Sequence, residues 1–208
     1  MHTVAYAYGA VSFRVVTIEA QKRRLSRDDW IDAALGAIAQ GGLAGVAVEP
    51  IAVTLGVTKG SFYSHFRTRD ELIEAALERW ERTHGATGLE RFAEIEDPGR
   101  RLRELLLAAV TFSQSGTPSI HVRLLGELDD ERVRAAVSRV TAARAGLLAE
   151  AYGELGYPPV RARHRARLAY ATYVGLLQSS REAPEQRMTR RELDSFMAEV
   201  EAALTARA

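Results

Sequence analysis

Apolar residues recur at intervals of three or four along most of this chain, which is the period of amphipathic helices. The pattern begins just after Ser26, which stands three residues before Asp29 in the spacing of a capping box. It stops at Gly41 and Gly42, a residue type that commonly ends helices. A first amphipathic helix is therefore predicted between these points. Its apolar face consists of Trp30, Ile31, Ala34, Leu35 and Ile38.

Three more helices are predicted before residue 85. A short one ends at Gly56, which is suited to the backbone of a tight turn. The next runs from Thr58 through Phe66. The segment Thr68-Arg69-Asp70-Glu71 is a second capping box and begins a longer fourth helix, whose apolar face reaches Trp80.

Prolines, glycines and capping residues divide the rest of the chain in the same way. They predict five further helices that begin near Asp97, Pro118, Asp130, Pro158 and Thr189. No segment alternates with the two-residue period of a strand, and no internal repeat is present. The sequence therefore predicts an all-α fold of about nine helices.

Composition narrows the class of protein. The 208 residues are 47% hydrophobic and 26% charged, which is typical of a globular chain and excludes disorder as its main state. Without cysteine, the chain has no disulfide, zinc knuckle or thiol chemistry, which fits a cytoplasmic location. The apolar stretch from Val4 to Ile18 contains Arg14 and is too short to span a bilayer. We expect neither a membrane anchor nor a secretory signal there.

The distribution of charge says more than its total. The formal net charge of +1 excludes a protein that coats nucleic acid by bulk charge. Residues 1–27 carry five basic side chains against one acidic, a balance of +4, so residues 28–208 sum to −3. A second basic stretch, from Pro50 to Arg69, contains no acidic residue. Any binding of a polyanion is therefore expected from local patches.

The segment from Ile51 to Phe62 has the spacing of a helix-turn-helix. Ala52 is small where two helices cross, Gly56 permits the turn, and Phe62 packs the second helix against the first. In this motif the polar exterior of the second helix enters the major groove of DNA. That exterior consists of Thr58, Lys59, Ser61, Tyr63, Ser64 and His65.

The residues from Leu55 to Phe66, followed by Arg69-Asp70-Glu71-Leu72, closely resemble the N-terminal DNA-binding domain of the tetracycline-repressor (TetR) family. The resemblance covers about residues 26–80. It implies a three-helix helix-turn-helix DNA-binding domain joined to a helical ligand-binding and dimerisation domain. We expect an N-terminal extension over 1–25, the DNA-binding domain over 26–84 and the second domain over 85–208.

The resemblance also implies residue roles. Lys59 and Ser61 fall where the family contacts bases or phosphates, Tyr63 and His65 where it contacts the DNA backbone, and Arg69 where it binds phosphate. Tyr63 could instead be a packed aromatic residue and His65 an internal hydrogen-bonding residue. The basic run before the first helix could be an arm on DNA or a solvated stretch. The candidate DNA-binding residues are Lys22, Arg23, Arg24, Thr58, Lys59, Gly60, Ser61, Tyr63, Ser64, His65 and Arg69.

One position departs from the family pattern. The family commonly has threonine at the N-cap of the second helix, where its hydroxyl can reach a phosphate, but this chain has Ala47. We therefore expect no phosphate contact from residue 47.

The second half of the chain has no motif of comparable specificity. Aromatic and polar side chains on apolar helical faces are candidates for a ligand pocket, although such stripes are more often core. These candidates are Trp80, Phe92, Phe112, His121, Tyr152, Tyr170, Tyr173 and Gln178. The resemblance makes the last two helices the expected dimer interface. The residues expected there are Ala169, Thr172, Gly175, Leu176, Leu193, Phe196, Met197, Val200 and Leu204.

The expected function is a dimeric repressor that a small molecule releases from a pseudo-palindromic DNA operator. The fourth helix, from Leu72 to Thr83, is the expected lever between the two domains, with Trp80 near its end as a sensor of the pocket. A regulator controlled by a protein partner, or without a ligand, is the alternative. A helical enzyme is a weaker one, because no catalytic or phosphate-loop motif is present. Neither a cofactor nor a metal is expected.

Overall fold

The computed structural model describes residues 25–205, and it is all-helical over that range, as predicted. Two short 3-10 turns, Leu43–Gly45 and Pro184–Gln186, accompany the α-helices. The α-helices within the described residues are α1 (Arg27–Gly41), α2 (Val48–Thr54), α3 (Lys59–Phe62), α4 (Arg69–His84), α5 (Ala86–Ala93), α6 (Pro98–Gln114), α7 (Ile120–Leu125), α8 (Glu131–Glu154), α9 (Pro159–Glu182) and α10 (Arg190–Thr205). The helix beyond the expected nine is α5, which follows α4 after a break at Gly85.

Two of the three predicted capping boxes form in full. At α1 the Ser26 hydroxyl accepts the Asp29 N–H at 3.3 Å, and the Asp29 carboxylate accepts the Ser26 N–H at 2.7 Å. The box from Thr189 to Glu192 closes in the same way. At α4 only half forms, because the Glu71 carboxylate accepts the N–H of Arg67 instead of that of Thr68. The prediction of a full box at Thr68 was therefore wrong in that half.

The third helix is shorter than predicted. It ends at Phe62, and residues 63–65 continue as turns rather than as helix to Phe66. The reason is local hydrogen bonding, since the Phe62 carbonyl accepts N–H groups from both His65 and Phe66, at 2.9 and 3.0 Å. The tightened turn still brings Phe66 back onto the core, where it is 1% exposed.

A first apolar core joins α1 to α4. Trp30, Phe62 and Phe66 are almost fully buried there, with ring centroids 5.4 Å apart between Trp30 and Phe62. The same core includes Leu124 from α7 and Val140 from α8. The core of the N-terminal helices is therefore continuous with residues beyond position 84, and the expected domain boundary stays a prediction.

A second core lies among α5, α6, α8, α9 and α10. This core includes part of the expected dimer interface, which stays a prediction. Ala169, Met197, Val200 and Leu204 are only 2–7% exposed within the single chain, because the apolar face of α10 packs against α6 and α9. They contribute to the fold of one subunit and leave little surface for a second. The expected interface residues Leu176, Leu193 and Phe196 are half-buried against the same core.

Among residues 25–205, no helix combines the length and apolar character needed to cross a membrane.

Candidate functional site

Helices α2 and α3 form the predicted helix-turn-helix. Gly56 has a φ of +69°, in the left-handed region that glycine adopts without strain. The turn is closed by a hydrogen bond of 2.9 Å from the Val57 N–H to the Ala52 carbonyl. Ala52 and Phe62 are 2% and 1% exposed where the helices meet. The sequence folds this way because each of these positions meets a geometric requirement of the turn.

The outer face of α3 is open to solvent. Tyr63 is 58% exposed, although its ring also contacts Phe62 edge-on at 5.2 Å. His65 is only half-buried. Of the other candidates, Ser61 is half-buried, and the exposed ones are Thr58, Lys59, Gly60 and Ser64. On α2, Val53 is 78% exposed beside this face, a position that the sequence reasoning did not single out. The predicted residues are thus brought together on one accessible surface, and their role in DNA binding stays a prediction.

An acidic side chain lies next to this surface. Lys59 Nζ is 2.5 Å from Glu49 Oε1, and both side chains are largely exposed. The hydrogen bond that Lys59 donates to Glu49 lowers the pKa of Glu49 and raises the pKa of Lys59. The sequence from Pro50 to Arg69 contains no acidic residue. In the structure, however, Glu49 of α2 lies against Lys59 of that stretch.

Arg69 makes contacts within the protein. Its Nε donates to the Val46 carbonyl at 2.6 Å, and its Nη2 donates to the Leu43 carbonyl. The side chain therefore ties the start of α4 to the connection between α1 and α2. Ala47 stands at the N-cap of α2 without a side-chain cap hydrogen bond, in keeping with the departure noted above. The phosphate contact expected of Arg69 stays a prediction.

The basic residues Lys22, Arg23 and Arg24, which are the candidate arm on DNA, lie outside the described residues.

A cavity of about 60 Å³ lies between these N-terminal helices and the rest of the chain, next to a larger one of about 380 Å³ that shares Gln40, Thr117 and Ser119 with it. Leu35 and Gln40 of α1 and Trp80 of α4 form one wall. Residues of α6, α7, α8 and α9 form the other walls, and among them are Phe112, His121, Arg144 and Tyr173. A smaller cavity of about 30 Å³ shares Arg144 and Tyr173 with the 60 Å³ cavity.

Trp80 stands between two histidines in the cavity wall. Its ring stacks on His84 at 5.9 Å and on His121 at 5.8 Å, with interplanar angles of 26° in both cases. His121 Nε2 is 2.8 Å from the hydroxyl of Tyr170, which is in turn 2.9 Å from Thr141 Oγ1. Because His121 is held from α9 and stacks on α4, the cavity lining connects the two parts of the chain.

Both histidines have lowered pKa values. Burial, followed by the charge of Arg144, lowers the pKa of His84 to about 4 and that of His121 to about 3. Both imidazoles are therefore neutral at pH 7.

Arg144 is the charged residue of the cavity, and it is 5% exposed. Its Nε donates to the His84 carbonyl at 3.3 Å, and its guanidinium lies over the Tyr173 ring at 5.3 Å. Its Nη1 has no hydrogen-bond partner among the described residues. The lining of the two cavities that Arg144 borders, as far as residues 25–205 describe it, contains no carboxylate.

The expected ligand residues divide between these cavities and other places. Trp80, Phe112, His121 and Tyr173 line the cavity of about 60 Å³, and Tyr170 and Tyr173 line the one of about 30 Å³. Three of the expected residues line neither cavity, and one of them, Phe92, is buried in the second core. Tyr152 is fully buried in the second core beside Tyr157, and Gln178 is exposed on α9, where it donates to Glu182 at 2.7 Å.

Comparison with known proteins agrees with the geometry of the helix-turn-helix. Residues 31–76 match the family described as "Bacterial regulatory proteins, tetR family". The helix-turn-helix of this chain is therefore similar to that of the tetR family. The regulator TtgR of Pseudomonas putida, described as an HTH-type transcriptional regulator, is 38% identical over 92 residues. That stretch is 43% of this chain and 41% of TtgR, so the match spans less than half of the relative's length.

Solved structures extend the likeness in fold beyond the tetR-family domain. Reduced NemR of E. coli has a TM-score of 0.65 at 25% identity and covers 84% of this chain and 94% of its own. AibR, in complex with isovaleryl coenzyme A and operator DNA, has a TM-score of 0.64 at 18% identity and covers 87% and 97%. The helical arrangement of the second half is thus shared with these proteins.

Among the titratable residues of the cavity lining, His84 and Arg144 were not singled out from the sequence. A signal for Arg144 was present, because it stands four residues after Val140 and four before Leu148, both on the apolar face of α8. A charge at such a position is buried by the helix period itself.

Proposed function

We propose that the chain is a DNA-binding transcriptional repressor whose affinity for its operator is controlled by a small molecule in the cavity of about 60 Å³. The observation that carries this proposal is that α1 and α4 of the tetR-family domain line the same cavity as helices of the second half. A ligand there would touch both parts at once. The names of the relatives support the first half of the proposal, since TtgR is described as a transcriptional regulator.

Binding to DNA would use the exposed face of α3. In this proposal Lys59, Ser61 and Tyr63 would reach a major groove, with Lys59 on phosphate or a base edge. A dimer would set two such helices about 34–36 Å apart, in successive grooves of a pseudo-palindromic site. The helix N-terminus of α4 lies beside this face and would favour a phosphate.

The dimer would form through α9. Leu168 and Val160 are 54% and 53% exposed, and they share one side of this helix with Thr172 and Gly175. These positions are spaced by multiples of about one helical turn. A two-fold axis passing this side would bury the same residues from both subunits.

Release from DNA would be transmitted through α1 and α4. Trp80 contacts the cavity from α4, and Arg123 of α7 donates to the Gln40 carbonyl at the end of α1 at 2.6 Å. A ligand that fits the cavity better in a conformation with altered spacing would shift the population toward that conformation. AibR, whose structure contains both isovaleryl coenzyme A and operator DNA, supports this division of roles.

The test is a footprint on the DNA upstream of the chain's own gene, with and without fractionated metabolites. We expect a protected palindrome whose protection one fraction removes. The double variant Lys59→Ala with Tyr63→Ala should lose specific protection and show a shallower salt dependence than wild type. The matched variant Arg163→Ala, which changes an exposed charge on α9, should keep both. Unchanged binding and salt dependence in the double variant would contradict the assignment of α3.

A further inference from the structure

Two arginines of this chain are buried to a similar extent, and only one of them has an ionic partner among residues 25–205. Arg101 is 6% exposed, and its Nη1 is 2.9 Å from Glu154 Oε1, while its Nε donates to the Ile95 carbonyl at 2.9 Å. Arg144 is 5% exposed. Its side chain contacts a backbone carbonyl and an aromatic ring, but no carboxylate in the described part of the chain pairs with it. Since a buried cation is costly unless it is paired, Arg144 is a charge that lacks its counter-ion.

The position of Arg144 shows where a counter-ion would lie. The side chain borders both cavities, and its Nη1 is buried without a hydrogen-bond partner among the described residues. The imidazoles of His84 and His121 cannot neutralise it, because they carry no negative charge. His121 adds a second buried nitrogen, Nδ1, which also has no partner among the described residues.

We propose that the ligand of the cavity is a compact monocarboxylate with an apolar body, whose carboxylate pairs with Arg144. This inference rests on the proposed function, because it names the class of ligand for the same cavity. A guanidinium offers parallel N–H donors that match the two oxygens of a carboxylate. Arg144 has no second charged basic group beside it in the lining of the 60 Å³ cavity, which favours a single negative charge over a phosphate dianion.

The other residues of the cavity lining favour an apolar body for the ligand. Trp80, Phe112 and Tyr173 present aromatic surfaces, and Leu35 and Ile120 are aliphatic. A volume of about 60 Å³ suits a compact molecule, since about 10–15 Å³ on this measure holds one water. A short-chain or monocyclic acid therefore fits the chemistry of the walls, with its apolar part against the rings.

The test uses the full chain and three acids, butanoate, hexanoate and benzoate, each beside its primary amide. Thermal unfolding at pH 7 measures binding, because a ligand that prefers the folded state raises the Tm. At least one acid should raise the Tm of wild type by several degrees at millimolar concentration, while its amide does not. The acid should bind at least tenfold more weakly to Arg144→Met, and Arg144→Lys should regain part of that affinity.

Variants at other arginines separate binding from folding. Arg100 is exposed, and Arg100→Met should respond to the acids as wild type does. Without ligand, Arg144→Met should have a Tm equal to or above that of wild type, because it removes an unpaired buried charge, whereas Arg101→Met should lower the Tm. A fall in Arg144→Met as large as in Arg101→Met would assign Arg144 to the fold and overturn the proposal.

Other results would overturn it as well. These are no Tm response to any of the three acids, an equal response to acid and amide, or a full response in Arg144→Met. The proposed function has its own readout in the footprint. Loss of protection by a non-acidic metabolite would leave the repressor intact and refute the carboxylate, whereas acid binding without any protected DNA would refute the repressor alone.

Discussion

The carboxylate of Glu127 accepts the backbone N–H of Leu43, with its two oxygens at 3.0 and 3.1 Å from the nitrogen. This contact joins the connection after α1 to the turn before α8. The neighbouring Gly42 has a φ of +69°, and a Cβ there would lie 1.7 Å from Glu127 Oε1. The end of α1 is therefore shaped to receive a side chain from the second half of the chain.

Loss of this contact is expected to weaken the fold and the communication across it. Glu127→Ala should lower the free energy of unfolding by about 1–3 kcal/mol, because it leaves the half-buried N–H of Leu43 without an acceptor. The measurement is urea unfolding followed by circular dichroism. Glu96→Ala, at an exposed carboxylate in the α5–α6 connection, is the matched control and should change stability by less than about 0.5 kcal/mol. Equal effects in the two variants would show that the Glu127 contact carries no stability.

Substitution of Arg69 distinguishes a role of this residue in stabilising the fold from a role in DNA binding alone. Its donors to Val46 and Leu43 predict that Arg69→Ala lowers the free energy of unfolding by about 1–3 kcal/mol even without DNA. Arg67 is exposed two residues earlier, and Arg67→Ala should leave stability nearly unchanged. If Arg69→Ala is as stable as wild type but binds DNA weakly, the arginine acts on phosphate alone.

Much of the fold could be predicted from the sequence because its signals are local. The capping pair of Ser26 and Asp29, the turn at Gly56 and the period of apolar residues each act within a few positions. The partner of an apolar face is not local. Met197 and Val200 have the pattern of an interface, but the pattern cannot distinguish a second subunit from α6 of the same chain, and here the latter covers them.

The candidate site could likewise be predicted from the sequence only where its signals are local. The face of α3 follows from spacing, but the approach of Glu49 to Lys59 depends on the crossing of α2 and α3. Likewise, Arg144 stands out only when the surrounding helices show that no acid faces it in the described structure. Whether two charged side chains pair depends on how the helices pack against each other.

The pair of Lys59 and Glu49 predicts a variant with stronger DNA binding. Glu49→Gln removes a negative charge beside the expected phosphates and leaves Lys59 without a competing carboxylate. We expect a severalfold higher operator affinity and a salt slope steeper by up to about 0.9, the contribution of one phosphate contact. Titration at several salt concentrations measures both. Glu199→Gln makes the same change of charge on the exposed side of α10 and should leave binding unaltered, so parallel gains in both variants would refute a local effect.

The buried histidines predict a stability that depends on pH. Each imidazole has a pKa near 6.5 in the unfolded chain. In the folded chain the pKa is about 4 at His84 and about 3 at His121. The unfolded state therefore binds more protons in this window, so the free energy of unfolding rises with pH and levels off above 6.5. Between pH 5 and 6 we expect about 1 kcal/mol per histidine.

Urea unfolding at half-unit intervals of pH checks this slope. His84→Gln removes one of the two groups, so its slope should be about half that of wild type. A wild-type stability that is flat from pH 5 to 6 would mean that the histidines are protonated in the folded protein, in conflict with their burial beside Arg144.

The exposed side of α9 predicts the effect of a charge at Leu168. If two subunits meet there, Leu168→Asp places two carboxylates near the two-fold axis without solvent to screen them, and it removes apolar area from both copies. We expect a monomer in sedimentation at micromolar concentration, with the helical content of wild type, and an operator affinity at least about tenfold lower. Leu128 is 37% exposed in the turn before α8, and Leu128→Asp is the matched control, which should stay dimeric. A dimer that survives Leu168→Asp would place the interface on another side of the chain, because a buried carboxylate pair at the centre of an apolar contact is not tolerated.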